Sequence, residues 1–286
     1  MSVNSDSDVK YRRSLNSDQV KVLEWLYRVR FSASKQIAVM LKKSSHKAIQ
    51  NKLQILEEQG LIGKRYDKSY KLAGRAAEYY LTPNGARKLQ EYYINSNDLD
   101  SLAESVIKSL YKNKSVSDGF VLHCLLIADA VRTLKNLYDD KISIYSQAII
   151  SGYEQFPTWK PDLYLRLKTT NETRHYMLDI WDDSRPFFVS VRKVRNYLNH
   201  QEDGGWTDDD EYPAILAACR DQKAQKKLNK QIQKALDDSD NDEMIFATTT
   251  LAKLESATKM TDEVWSKISV DGDIELCPLK ELHRAP

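Results

Sequence analysis

Two acids and a lysine define the chemistry open to this chain. Pro161-Asp162 precedes the alternating run Leu163–Leu167, and Asp179 sits inside Tyr176–Trp181, an otherwise nearly continuous apolar stretch. A carboxylate within an apolar strand is costly unless hydrogen bonds, a basic neighbour or a metal compensate it. Two such carboxylates on neighbouring strands can hold Mg²⁺, and a lysine two residues after the second acid helps a bound water attack a phosphodiester. Here that position holds Trp181. Lys193, on the helix expected next, is the residue able to reach back toward the acids. The reading is a nuclease-like site without its usual water activation. No catalytic residue is assigned; Asp162, Asp179 and Lys193 are the candidates if cleavage survives, and Mg²⁺ is expected only in that case.

A second group of residues suits contact with nucleic acid. In the run from Ser45 to Gly60, Ile49, Leu53 and Leu56 form one apolar stripe at helical spacing. Lys47, Gln50, Asn51 and Gln54 fall on the opposite side, with Ser45 and His46 at the helix start. Asn and Gln offer paired donor and acceptor groups to adenine, and Lys suits guanine or phosphate. Downstream, Lys64, Arg65, Lys68, Lys71 and Arg75 alternate with Tyr66 and Tyr70. Such a basic hairpin suits phosphate contacts, which give affinity and register more than sequence choice. Lys42 and Lys43 flank the helix, and Lys10, Arg12 and Arg13 suit a DNA-touching arm.

The elements that must position these residues follow from periodicity and caps. Helices are expected at Leu15–Arg30, Ser34–Lys42 and Ser45–Gln59, each opened by Asn or Ser. Leu61–Tyr66 and Glu78–Leu81 then predict a two-stranded wing, and Thr82-Pro83 restarts a helix. This is the order of a winged helix-turn-helix over residues 15–94, after a polar stretch at 1–14. Residues 95–118 form a helical connector. Residues 119–270 predict a mixed-sheet α/β domain with the skeleton of the restriction-endonuclease-like core. Its expected elements are a helix at Phe120–Tyr138, strands at Ile142–Ile150, Leu163–Leu167, Tyr176–Trp181, Ala214–Cys219 and Met244–Thr248, and helices at Phe187–Asn199 and Gln222–Leu236. Gln201–Glu211 and Asp237–Glu243 predict solvated acidic loops, and residues 271–286 a tail.

Composition narrows the partners. The 286 residues are 41% hydrophobic and 29% charged, enough for two globular cores. No apolar run approaches the ~20 residues of a bilayer span, and the first residues are polar and acidic, so neither a membrane segment nor a signal peptide is expected and cytoplasm is the default. Three scattered cysteines and five histidines without ligand spacing predict no disulfide framework and no structural metal. The net charge of +2 hides an asymmetry. Residues 1–94 hold 18 Lys and Arg against 9 Asp and Glu, whereas the remainder holds 25 against 32. A basic third joined to an acidic remainder fits a DNA reader attached to something else.

Taken together, residues 15–250 resemble the replication-relaxation family of bacterial plasmids and integrative elements. The resemblance rests on the winged-helix pattern with Leu81-Thr82-Pro83-Asn84-Gly85-Ala86, on Lys160-Pro161-Asp162-Leu163, and on Met177-Leu178-Asp179-Ile180. It continues in a helix bearing Lys193 and Tyr197 and in Tyr212-Pro213-Ala214-Ile215-Leu216. The segment Trp181-Asp182-Asp183-Ser184-Arg185-Pro186 departs from the turn expected of the family. Membership implies a DNA-binding accessory role in plasmid replication, mobilisation or conjugative transfer, with duplex DNA and relaxase or replication proteins as partners. A homodimer would match paired half-sites. The alternatives are a Mg²⁺-dependent nuclease targeted by the winged helix, and a transcriptional repressor whose second domain dimerises or senses a ligand.

Overall fold

The computed structural model describes residues 15–43, 46–95, 102–170, 172–182, 186–206, 211–239, 243–269 and 274–282. Helix α1 (Ser17–Val29) begins with a capping box. Asn16 Oδ1 accepts the Gln19 N–H at 2.9 Å, and Gln19 Oε1 accepts the Asn16 N–H at 3.0 Å. A short strand β1 (Phe31–Ala33) follows, tied to the helix by Trp25 Nε1–H donating to Ser32 Oγ at 2.9 Å. Helices α2 (Ser34–Met40) and α3 (His46–Glu58), strand β2 (Ile62–Arg65), helix α4 (Lys68–Leu72), strand β3 (Glu78–Leu81) and helix α5 (Pro83–Asn95) complete the N-terminal part.

Two expectations change here. The expected two-stranded wing is a three-stranded antiparallel sheet in the order β1-β3-β2, because Phe31–Ala33 pairs with Glu78–Tyr80. Part of the expected basic hairpin is helix α4, opened by Asp67, whose Oδ1 accepts the N–H groups of Ser69 at 2.8 Å and Tyr70 at 3.2 Å. Neither a three-residue strand nor a five-residue helix is long enough to carry a period. At the end of α3, Gly60 turns the chain with φ +68°. Gly60→Ala is therefore expected to cost about 1 kcal/mol, because a Cβ is strained in that region. An unchanged thermal midpoint would show that the turn relaxes.

Helix α6 (Glu104–Ser109) and a 3₁₀ turn (Leu110–Lys114) lead into α7 (Asp118–Tyr138), capped by Ser117. The rest is β4 (Ile142–Ser146), α8 (Gln147–Ile150), β5 (Leu163–Lys168), β6 (Thr173–Trp181), α9 (Phe187–Glu202), β7 (Ala214–Cys219), α10 (Gln222–Ser239), β8 (Phe246–Thr250), α11 (Leu251–Ser256), β9 (Trp265–Ile268) and β10 (Ile274–Cys277). The seven strands form one mixed sheet in the order β10-β9-β8-β7-β6-β5-β4, with β6-β7 and β7-β8 parallel. The expected strand Ile142–Ile150 breaks after Ser146 into α8. Strand β10 lies where a featureless tail was expected; three of its four residues are exposed, so it shows no alternation of buried and exposed positions.

Strand parity sorts the side chains into two layers. Leu163, Leu165, Tyr176, Leu178, Leu216 and Ala247 share a core with Val131 and Leu134 of α7 and Leu254 of α11. Tyr164, Met177, Ile215, Ala217 and Phe246 face Val194, Tyr197 and Leu198 of α9 and Leu228 and Ile232 of α10. The first core runs on without interruption into Leu23, Leu26, Ile49, Leu53 and Leu56 of the N-terminal helices. By this alternation Asp179, two residues from Met177, must point toward α9.

Candidate functional site

Antiparallel pairing of β5 with β6 sets Leu163 opposite Leu178, which leaves Asp162 beside Asp179 at the end of the pair. Both acids are buried, 6% and 2% exposed. The Asp162 N–H donates to Asp179 Oδ1 at 3.1 Å, and the Ile180 N–H donates to Asp162 Oδ2 at 2.9 Å. From α9, Lys193 Nζ donates to Asp179 Oδ1 at 2.5 Å and to the Lys160 carbonyl at 3.0 Å. One turn further on, the Tyr197 hydroxyl donates to Asp179 Oδ2 at 2.8 Å. Lys193 thus bridges the two strand ends, and the three candidate residues Asp162, Asp179 and Lys193 meet in one place.

His123 is a member that sequence reasoning missed. It sits on α7, 5% exposed, with Nε2 3.3 Å from Asp162 Oδ1 and Nδ1 3.1 Å from Asp182 Oδ2. Its only sequence signal was a polar residue on the buried side of an apolar helix. Together these groups wall a cavity of about 360 Å³, closed further by Gln147, Trp159, Trp181, Val189 and Ser190.

The electrostatics are those of a compensated cluster. Burial works against charge on His123, but hydrogen bonds and attraction from Asp162 and Asp182 overcome it and raise the imidazole to about 9. Burial also opposes ionisation of Asp162, yet Lys193 and His123 hold its carboxyl down at about 2. For Asp179 burial prevails, reinforced by the neighbouring Asp162 charge, and its pKa lies above the usual carboxylate range despite Lys193. Burial, then the Asp179 charge, push the Tyr197 hydroxyl up and keep it a neutral donor.

A pH dependence follows. The folded imidazole is raised to about 9 from the 6.5 of an ordinary histidine, so protonation favours the fold. Its contribution is complete below pH 6.5 and lost as pH rises through 9, about 3 kcal/mol in all as an upper bound. Asp162 acts in the opposite sense, stabilising above pH 3.8 and losing that effect as pH falls toward 2. Urea midpoints at pH 6 and pH 10, compared with His123→Gln, test the first claim. An equal change in both proteins would remove His123 from the account.

The donor set does not fit Mg²⁺ as arranged. Asp179 Oδ1 takes the Lys193 ammonium and a main-chain N–H, Asp179 Oδ2 takes the Tyr197 hydroxyl, and Asp162 Oδ2 takes a main-chain N–H. A hard divalent cation wants several oxygens free to turn toward it. It would first have to displace the ammonium. Among the described residues no three His, Cys, Asp or Glu side chains are grouped to hold a metal.

The residues expected to touch DNA lie in the N-terminal part, and those of α3 form one exposed helix face. Ile49, Leu53 and Leu56 are fully buried, whereas Lys47, Gln50, Asn51 and Gln54 are exposed. Gln54 also donates to Glu58 Oε1 at 2.9 Å. Ser45 lies outside the described residues, as does the side chain of His46. Lys64, Lys68 and Lys71 are exposed, with Lys64 Nζ 4.0 Å from Glu57 and set over the Tyr66 ring.

Arg65 and Arg75 are turned to a structural task. Arg65 reaches Asp118 at 2.5 Å and the Val116 carbonyl at 2.8 Å, and Arg75 binds Glu78 at 2.8 Å while stacking over Tyr70. Glu78 is buried, so these arginines and the Tyr70 hydroxyl at 2.7 Å compensate its charge. Arg65 is half-buried in these pairs, whereas Arg75 stays exposed while pairing with Glu78.

The profile of the replication-relaxation family matches residues 23–212 of this chain. Among solved structures, restriction endonuclease FokI is similar at 12% identity and a TM-score of 0.31, over 83% of this chain and 42% of that one. FokI bound to DNA is similar at 12% identity and a TM-score of 0.27, over 87% and 45%. The chain spans under half the length of either. No curated protein matches it.

Proposed function

The chain belongs to the replication-relaxation family, and on that premise we propose that it is a DNA-binding accessory protein of a plasmid or other mobile element. Its N-terminal helices and three-stranded sheet act as a winged helix that reads duplex DNA, which would place the protein in the cytoplasm. The observation that carries this reading is α3. One side of it is anchored by fully buried Ile49, Leu53 and Leu56, and the other presents Lys47, Gln50, Asn51 and Gln54. A helix held rigidly by one face and offering amide groups on the other is suited to the major groove. Lys64, Lys68 and Lys71 then lie downstream as phosphate contacts.

The second part is a catalytically silent nuclease-like unit in this reading. Asp162 and Asp179 are satisfied by protein donors, and Lys193 is placed to neutralise rather than to activate water. A native gel with supercoiled and linear DNA, with and without Mg²⁺, tests both halves. The expected result is a shift of both DNAs and no nicking. Nicks that need Mg²⁺ and vanish in Asp179→Asn would replace this proposal with the nuclease reading, and the lack of any shift would end the DNA-reader assignment.

A further inference from the structure

The part of the chain that follows residue 94 is acidic overall, yet one face of it carries only positive charge. On α10, Lys223, Lys226, Lys227, Lys230 and Lys234 are all exposed. Their spacings of three and four residues place them on one side of the helix, over about 16 Å of its length. Helix α9 packs alongside α10 and adds exposed Arg192 and Arg195. Lys227 Nζ lies 3.8 Å from the centre of the Phe187 ring, and Arg192 lies over Phe188, so the two helices present a joined surface. Among the described residues none of these seven cations forms an ion pair. The acids of the two helices stand at their ends: Asp221 caps the start of α10, Asp237 and Asp238 close it, and Glu202 ends α9.

Like charges at such spacings oppose helix formation. The helix is held instead by buried Leu228, Ile232, Ala235 and Leu236 on its other side. A stripe kept against its own repulsion, with no acid to neutralise it, is suited to a polyanion. The chemistry favours a phosphate backbone over a protein. Lysine is depleted in protein interfaces, which are built around apolar and aromatic anchors; the apolar residues of α10 face inward, and the two rings on this face, Phe187 and Phe188, each carry a cation over them. Duplex DNA offers one charge per about 1.7 Å of its axis, a density that a lysine stripe of this length can follow. Val189 and Ser190 of α9 line the central cavity, so the basic face begins within a turn of its wall.

We infer that the α9–α10 face is a second duplex DNA surface, contacting phosphates without reading sequence, so that the protein grips DNA through both of its parts. This rests on duplex binding as the protein's function, but not on α3 being the reader.

The test is fluorescence anisotropy of a labelled 30-base-pair duplex of random sequence, titrated with the full chain across a salt series. Three proteins are compared: wild type, Lys226→Gln/Lys230→Gln/Lys234→Gln on α10, and Lys64→Gln/Lys68→Gln/Lys71→Gln near the N-terminal sheet. The α10 variant is expected to bind at least tenfold more weakly and to lower the slope of log K against log salt by about 2 to 3. If that variant matches wild type while the N-terminal one is weakened, the second surface is overturned and the reader stands. Weakening of the α10 variant alone supports the second surface and counts against the reader. A wild-type protein that fails to bind overturns both.

Discussion

Lys193→Met is expected to destabilise the protein by about 3 to 5 kcal/mol, the cost of leaving a buried carboxylate without its cation. Lys193 Nζ sits 2.5 Å from Asp179 Oδ1 and 3.0 Å from the Lys160 carbonyl, and its side chain is only 9% exposed. Its removal leaves Asp162 and Asp179 side by side, with His123 the cation that still touches Asp162 among the described residues. The second variant of the pair is Asp179→Asn, which keeps the shape of the side chain and removes the charge. Combined with Lys193→Met it should recover much of the loss, because the methionine then faces a neutral amide. Urea unfolding of the four proteins in a double-mutant cycle gives the coupling. Additive losses would mean that Lys193 and Asp179 are neighbours without being partners.

Gln50→Ala combined with Asn51→Ala is expected to abolish preference for the cognate site while leaving stability nearly unchanged. Each amide paired bidentately with an adenine contributes about 1 to 3 kcal/mol of discrimination. Both side chains are exposed on α3, away from the buried stripe, so the fold loses no packing. Binding to random duplex should persist through phosphate contacts. Competition between a selected site and random DNA reads the difference directly. Retained preference in the double variant would remove α3 as the reader, wherever else the protein touches DNA.

Much of the site could be anticipated because parity is a local property. Asp179 is two residues from Met177 along β6, so its side must be that of Met177, and the pattern around Leu163 puts Asp162 at the head of the neighbouring strand. The stripe of Ile49, Leu53 and Leu56 likewise assigned the inner and outer faces of α3. The elements that escaped are short or lack contrast, as with β1, α4 and β10, and β1 further depends on a partner strand far along the chain.

What the sequence determined by itself is the inventory and its orientation on each element: two acids at adjoining strand ends, a lysine on the next helix, and a polar face on α3. Periodicity carries that information, since side-chain direction within a helix or strand needs no distant contact. What only the tertiary structure decided is which charges meet. Arg65 and Arg75 look in sequence like Lys64 and Lys68, yet buried Glu78 and exposed Asp118 draw them into one ion-pair network. His123 joins Asp162 across 39 residues of chain, and the packing of α10 on α9 sets Lys227 over the Phe187 ring. Pairing over such separations is set by packing, because burying a charge is tolerable only where the fold brings its counter-charge within reach.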